Sequence, residues 1–283
     1  MHPILFKIGG LTFYTSGLMM ALGFIAAYFF ILYLAKVSGQ DQEFFSNMFF
    51  WIMVFGILGA KLLYLVVSWR EMPADARDFI NCLRGGLVWY GGVIADLTFV
   101  YYYCWRYKKD YWRVADTLAA PAAVGLAIGR IGCLMAGCCY GKACELPWAI
   151  VYHNIPGLPA HPLAGIPVHP SPVYEALGVM IIAVICYEIF THSKKRGLAI
   201  STLVWLYAAL RFSLEFLRGD VERGFVFSDK ISTSQFVGIL LFAPGLYFFI
   251  RQLLKPAEPE PKEPPKPLSK KEKKKKKQQE KAK

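Results

Sequence analysis

The sequence predicts an all-α integral membrane protein of seven transmembrane helices, with the N-terminus outside and the C-terminus inside. Three observations carry that reading. The 283 residues are 55% hydrophobic and only 18% charged, against about 25% charged in ordinary globular chains. The apolar residues gather into runs of about 20, the length that crosses a hydrocarbon core of about 30 Å. Charge collects at one end: residues 255–283 hold 12 Lys and 5 Glu, leaving residues 1–254 with 20 Lys and Arg against 15 Asp and Glu. Without that tail the chain is too apolar for a soluble fold. Composition excludes a disordered protein, a disulfide-dense secreted scaffold and an ordinary cytosolic enzyme.

The expected spans, in order, are 17–35, 47–67, 87–105, 115–137, 173–190, 198–217 and 236–254. The fourth is interrupted by Pro121 and several glycines, which a span tolerates where neighbouring helices satisfy the freed backbone groups. Basic residues set the orientation. A cytoplasmic C-terminus places Lys36, Arg106, Lys108, Lys109, Arg113, Lys194, Lys195 and Arg196 inside. The opposite loops carry Arg70, Arg77, Arg84, Lys142, Arg218, Arg223 and Lys230, diluted by seven acids. The run Lys270–Lys277, broken only by Glu272, decides for the inside, because translocating it is costly. Residues 1–254 thus form a polytopic membrane domain, and 255–283 a disordered tail, first Pro/Glu-rich and then Lys-rich. The N-terminus lacks the basic n-region and Ala-x-Ala site of a removable signal peptide. The lysine run either fixes topology alone or also binds anionic lipid headgroups. Nucleic acid is not an expected partner, since no aromatic residues interleave with the lysines.

Ionisable residues inside apolar spans are expensive and face a partner or a cavity. Here they are Lys61, Asp96, Asp116, Arg130, Glu175, Glu188, Arg211 and Glu215. Arg211 and Glu215, four apart, share a helix face. Tyr207 and Arg218 extend it into a polar ridge along the sixth span. A salt bridge that only locks helix packing is one of two open accounts of Glu215; two arginines on one ridge point further, to an anionic ligand.

The densest pattern is Gly129-Arg130-Ile131-Gly132-Cys133-Leu134-Met135-Ala136-Gly137-Cys138-Cys139-Tyr140-Gly141. Its glycines permit close backbone approach, and Arg130 offers a guanidinium suited to bidentate phosphate binding. A second cluster, Gly85-Gly86-Leu87-Val88-Trp89-Tyr90-Gly91-Gly92, opens the third span. The cysteines Cys133, Cys138, Cys139 and Cys144 follow C-x4-C-C-x4-C. Structural zinc favours C-x2–4-C pairs, and adjacent cysteines hinder joint ligation, so neither a metal nor a cofactor is expected. Reduced packing thiols are the first reading, a disulfide the second. Cys82, Cys104 and Cys186 read as small hydrophobes, and His153, His161 and His169 as residues of the long loop 142–172.

At these residues the chain resembles the bacterial prolipoprotein diacylglyceryl transferases, whose signature is Gly-Arg-x-Gly-Asn-Phe-x-Asn-x-Glu-x-x-Gly. Gly129, Arg130, Gly132 and Gly141 match it in register. The likeness extends to Gly17-Leu18-Met19, His169-Pro170-Ser171 with Tyr174-Glu175, the Tyr207–Arg218 ridge with Phe216, and Ile231-Ser232 with Gln235. There are departures. Tyr90-Gly91-Gly92 stands where the family has His-Gly-Gly, and Cys133, Ala136 and Cys138 replace its Asn, Asn and Glu. Ser16 replaces a Tyr, with Tyr14 two residues earlier, and Gly59-Ala60-Lys61 replaces Gly-Gly-Arg.

The resemblance implies a bacterial inner-membrane enzyme that moves a diacylglyceryl group from phosphatidylglycerol to the lipobox cysteine of a preprolipoprotein signal peptide, forming a thioether and releasing glycerol 1-phosphate. It implies Arg130 and Arg211 as stabilisers of the leaving phosphate and Tyr90 at the histidine position, as proton acceptor or headgroup donor. Glu215 orients Arg211 or accepts a proton. Gly141, Tyr207, Arg218, Cys133, Tyr14 and His169 fall at substrate-binding positions. A phospholipid-dependent transferase with another acceptor, and a non-enzymatic binder or transporter of anionic lipid, stay open at this point.

Overall fold

The computed structural model describes residues 3–9, 11–68, 86, 88–154, 160–193, 195–219, 225–226 and 231–256. The Pro/Glu-rich and lysine-rich tail, Cys82 and the loop arginines Arg70, Arg77, Arg84 and Arg223 lie outside the described residues, as do Lys194 and Lys230.

Among the described residues seven helices follow one another: α1 (Thr15–Val37), α2 (Gln42–Val67), α3 (Trp89–Arg106), α4 (Tyr111–Ala136), α5 (Ser171–His192), α6 (Leu198–Glu215) and α7 (Thr233–Leu254). Each corresponds to one expected span. All but α3 are long and apolar enough to cross a membrane. In α3, Asp96 and the tyrosines of Tyr101-Tyr102-Tyr103 dilute the apolar run. Large apolar side chains such as Phe29, Leu62, Ile181 and Leu254 point outward from their helices. Together these are the marks of a multi-pass membrane protein.

Among the described residues the architecture departs from a purely helical one in three two-stranded antiparallel pairs. They are β1 (Ile4–Ile8) with β2 (Leu11–Tyr14), β3 (Ile150–Val151) with β4 (Pro167–Val168), and β5 (Phe225–Val226) with β6 (Ile231–Ser232). The first runs straight into α1, with Tyr14 as the residue before the helix.

Helices meet through small residues, as expected where apolar surface gains nothing by leaving lipid. A Cβ on Gly23 would lie 2.8 Å from the Gly125 carbonyl, and one on Gly91 2.3 Å from the Gly59 carbonyl, so α1 presses on α4 and α2 on α3. The centre of the bundle is α4, which packs against α1, α5 and α6. Ala119, Ala120, Ala123 and Ala127 are buried along its length. Pro121 lies inside this helix, which runs unbroken through it. Where sequence alone carried the sixth helix to 217, α6 ends at Glu215, and Arg218 lies just beyond it.

Candidate functional site

Three segments build the site: the C-terminal end of α4, the first turns of α5 and the C-terminal half of α6. Helix α4 stops at Gly137, whose φ of 76° is free for glycine and strained for other residues. The chain then turns back, and Cys138 N–H bonds the Cys133 carbonyl at 3.2 Å. Residues 140–142 are next fixed on both sides. Gly141 N–H donates to the His169 carbonyl at 3.0 Å, Lys142 N–H to the Leu217 carbonyl at 2.8 Å and Gly219 N–H to the Tyr140 carbonyl at 3.1 Å. His169 and Arg218 are thereby tied to the end of the glycine motif. A Cβ on Gly141 would lie 2.5 Å from the His169 Cβ and 2.7 Å from Ser171 Oγ. The close approach that requires glycine there is made by the chain itself.

Two arginine networks stand side by side. Arg130 Nε lies 3.0 Å from Glu175 Oε1, an ion pair whose N–H is not directed squarely at the oxygen. Tyr207 donates its hydroxyl to the same Oε1 at 3.1 Å. Arg211 Nη1 pairs with Glu215 Oε2 at 2.7 Å, and its Nη2 donates to Ser234 Oγ at 3.0 Å. Ser234 is delivered by the first turn of α7, which is set by a reciprocal Ser232–Gln235 capping box. The carboxylates are the deeper members: 4% and 3% exposed for Glu175 and Glu215, against 17% and 12% for Arg130 and Arg211. Buried carboxylates thus hold the guanidiniums from behind. In Arg130 the pair goes through Nε, leaving the two-pronged Nη edge without a carboxylate or carbonyl acceptor among the described residues. Tyr207 lies within electrostatic reach of both arginines, and Arg218 is buried beside them.

The sulfurs of Cys133, Cys138 and Cys139 lie within 4.8 Å of one another. No disulfide joins any of them, and Cys144 is not part of the group. Sequence spacing argued against joint ligation because Cys138 and Cys139 are adjacent; the backbone nonetheless brings the three sulfurs together. Cys139 has a φ of 60°, a left-handed conformation rare outside glycine. Past the helix end, hydrogen bonds from Cys133 and Cys138, with Arg218 and Arg130 behind them, hold the Cys139 thiol below its ordinary range. Donating to Cys133 and Cys139 pushes the Cys138 thiol up.

His161, read from sequence as a loop residue, buttresses this turn. It accepts from Leu163 N–H at Nδ1 (3.1 Å), so its proton sits on Nε2, which reaches the Gly137 carbonyl at 3.0 Å. Its ring stacks on Tyr152 and lies against Tyr140.

Of the sequence-predicted residues, Arg130, Arg211, Glu215, Tyr207, Arg218, Cys133, Gly141 and His169 fall in this region. Tyr90 and Tyr14 do not join the networks. Tyr90 opens α3 with its ring against Trp89, and Tyr14 is exposed at the end of the first hairpin. Glu175 was visible as a charge inside a span, yet its hold on Arg130 depends on how α4 and α5 pack. Ser234 gave no signal at all. A surface concavity of about 520 Å³ lies away from these networks, lined by Cys104, Trp105, Arg106, Lys108 and Lys109.

Comparison with known proteins points the same way. The family model described as prolipoprotein diacylglyceryl transferase matches residues 3–251. A phosphatidylglycerol–prolipoprotein diacylglyceryl transferase of Clostridium tetani is 34% identical over 249 residues, 88% of this chain and 97% of the relative. A second, of Clostridium perfringens, is 30% identical over 257 residues, covering 90% and 97%. A third, of Finegoldia magna, is 29% identical over 262 residues, covering 91% and 100%.

Proposed function

The chain belongs to the prolipoprotein diacylglyceryl transferase family, and we propose that it performs the transfer at the paired arginine networks of α4 and α6. It is a transferase of lipoprotein biosynthesis that takes its diacylglyceryl group from phosphatidylglycerol. The acceptor is the lipobox cysteine of a preprolipoprotein signal peptide. Its sulfur displaces the phosphate ester at the glyceryl carbon; a C–S bond forms, the C–O bond breaks, and glycerol 1-phosphate leaves with the electron pair.

The observation that carries this reading is the pair of guanidiniums backed by buried carboxylates. Displacement at carbon needs the leaving phosphate neutralised and the two lipidic partners held in line. The Nη edge of Arg130 meets the phosphate oxygens, and Arg211, fixed by Glu215 and Ser234, stabilises the departing charge. Glu215 is a positioning residue for Arg211, and Glu175 for Arg130. Tyr207 and Arg218 bind headgroup oxygens, and His169 with Gly141 frames the loop over the reacting atoms. Tyr90 and Tyr14 contact the bound lipid or peptide rather than the phosphate.

We read α3 as a span as well, giving seven, with the N-terminus outside and the C-terminus inside a bacterial cytoplasmic membrane. The lysine-rich tail then lies on the anionic inner surface.

The test is reconstitution with phosphatidylglycerol and a lipobox peptide, reading peptide mass and released glycerol phosphate. A thioether product lost with a Cys→Ser peptide and with Arg130→Ala supports the assignment. Release of glycerol phosphate without peptide modification assigns another acceptor, and wild-type product from Arg130→Ala removes the headgroup assignment.

A further inference from the structure

The transfer needs a thiolate, and a free cysteine thiol has a pKa of about 8.5. Tyr90, at the family's histidine position, stands outside the arginine networks. The three gathered cysteines offer another route to a thiolate.

Their setting is not that of packing thiols. Cys104 and Cys186 are 1% and 0% exposed, as small hydrophobes in a core should be. Cys138 is exposed, and Cys133 and Cys139 are half-buried. Three sulfurs within 4.8 Å of one another need to draw in by about 1 Å to sit on a zinc ion, since Zn–S bonds of about 2.3 Å place tetrahedral sulfurs roughly 3.8 Å apart. Cys139 meets this arrangement from a left-handed backbone, a conformation that costs on the order of 1 kcal/mol or more and persists only where the surroundings impose it. An odd number of sulfurs also suits a metal better than a disulfide, which would pair two and strand the third.

The electrostatics and the coordination number agree. Three thiolates on a dication leave one negative charge, and Arg130 and Arg218 both lie close enough to Cys139 to balance it. The imidazole that buttresses this turn cannot complete the shell: His161 already uses Nδ1 on Leu163 and Nε2 on Gly137. Three protein ligands with an open fourth position is the pattern of catalytic zinc, and a thiol that coordinates such an ion loses its proton outright.

We infer that Cys133, Cys138 and Cys139 bind a thiophilic divalent ion, zinc by preference, whose open position takes the acceptor cysteine beside the arginines. This rests on the diacylglyceryl transfer reading. The peptide S–H coordinates and releases its proton to water at the exposed Cys138 side. The bound sulfur then attacks the glyceryl carbon and the C–O bond to phosphate breaks. The glycerol phosphate leaves with that electron pair against Arg130 and Arg211. The thioether product is neutral and a weaker ligand, so it departs.

The experiment uses the full chain in detergent, stripped with chelator and reloaded with zinc or cobalt. About one metal per chain is expected, with a cobalt–thiolate charge-transfer band in the near ultraviolet. Cys138→Ser and Cys139→Ser should lose the band, while the core variants Cys104→Ser and Cys186→Ser keep it. Adding lipobox peptide should shift the cobalt visible bands, and the Cys→Ser peptide should not. Absence of stoichiometric metal, retention of the band in Cys138→Ser and Cys139→Ser, a disulfide among the three in the mass spectrum, or a cobalt spectrum blind to the peptide each overturns the proposal. Transfer that runs undiminished in metal-free protein overturns it too, and leaves the transferase reading intact. Metal and peptide binding without any transfer leaves the zinc site standing and overturns the transferase reading.

Discussion

Both ends of α6 are crowded with charge, and they treat it in opposite ways. At the N-terminal end, Asp116 of α4 spends both carboxylate oxygens on backbone: Gly197 N–H at 2.5 Å and Ile200 N–H at 2.9 Å. It caps a helix from a neighbouring one, using donors that the first turn leaves free. Beside it Arg196 and Asp110 pair at 2.7 Å. At the C-terminal end, where the helix dipole favours cations, Arg211 and Arg218 gather with Arg130. Here Glu175 and Glu215 lie deeper than the guanidiniums they pair with, Arg130 and Arg211. A charge that serves the fold is consumed by fixed partners. A charge that serves chemistry is held by a carboxylate buried more deeply than itself.

The sharpest way to break this contrast is a pair of substitutions. Arg130→Lys, which keeps a cation beside the buried Glu175 but loses the two-pronged guanidinium, should lower transfer by about 100-fold, the usual cost of losing one preorganised donor to a developing oxyanion, with little change in the unfolding midpoint. Asp116→Ala should do the reverse. It strands two helix-terminal N–H groups, costing about 2 kcal/mol of stability, while activity per folded molecule stays near wild type. Thermal unfolding in detergent and the reconstituted transfer assay read the two together. If both variants lose activity and stability in proportion, the two ends are not distinct.

Tyr207→Phe probes the boundary between the two behaviours. Its hydroxyl donates to the carboxylate that holds Arg130, so its loss loosens the guanidinium without removing it. A hydrogen bond of this kind is worth about 1 kcal/mol, which corresponds to roughly a fivefold fall in transfer. Tyr207→Phe with unchanged kinetics would make the tyrosine part of the packing alone.

How much of this the sequence disclosed follows the same division. The helices were legible because each needs a run of apolar residues, a local property. The first hairpin was not, since short apolar strands next to a long apolar helix carry no contrast. Arg130, Arg211 and Glu215 were legible through the cost of charge in a span and through four-residue spacing on one helix. Asp116 was visible only as a charge. Its partners Gly197 and Ile200 lie more than 80 positions away, and nothing in their sequence marks them as donors. The gathering of the three thiols was not legible either: it depends on the backbone past the helix end, where Cys139 takes a left-handed φ of 60° that its sequence neighbours do not announce.

The smallest effect expected is also the one that tests this last point most directly. In chelator-stripped protein, Cys139 and Cys138 are neighbours with opposite perturbations, down for the first and up for the second. Alkylation follows the thiolate. As pH falls below the ordinary cysteine range near 8.5, Cys138 therefore stops reacting first and Cys139 continues to lower pH. Exposure works the other way, because Cys138 is the more open residue. The comparison must therefore be made on the pH at which each rate halves, not on the rates themselves. Peptide mapping after timed iodoacetamide treatment gives both values in one sample. Arg218→Ala removes one of the two cations facing Cys139, and its midpoint should move up while that of Cys138 stays. Coincident midpoints in the wild-type chain would mean that the thiol hydrogen bonds do not set the two sulfurs apart, and an Arg218→Ala midpoint for Cys139 that does not move would mean that the arginines do not reach the sulfurs, so that the contrast between the two ends of α6 stops at Arg130.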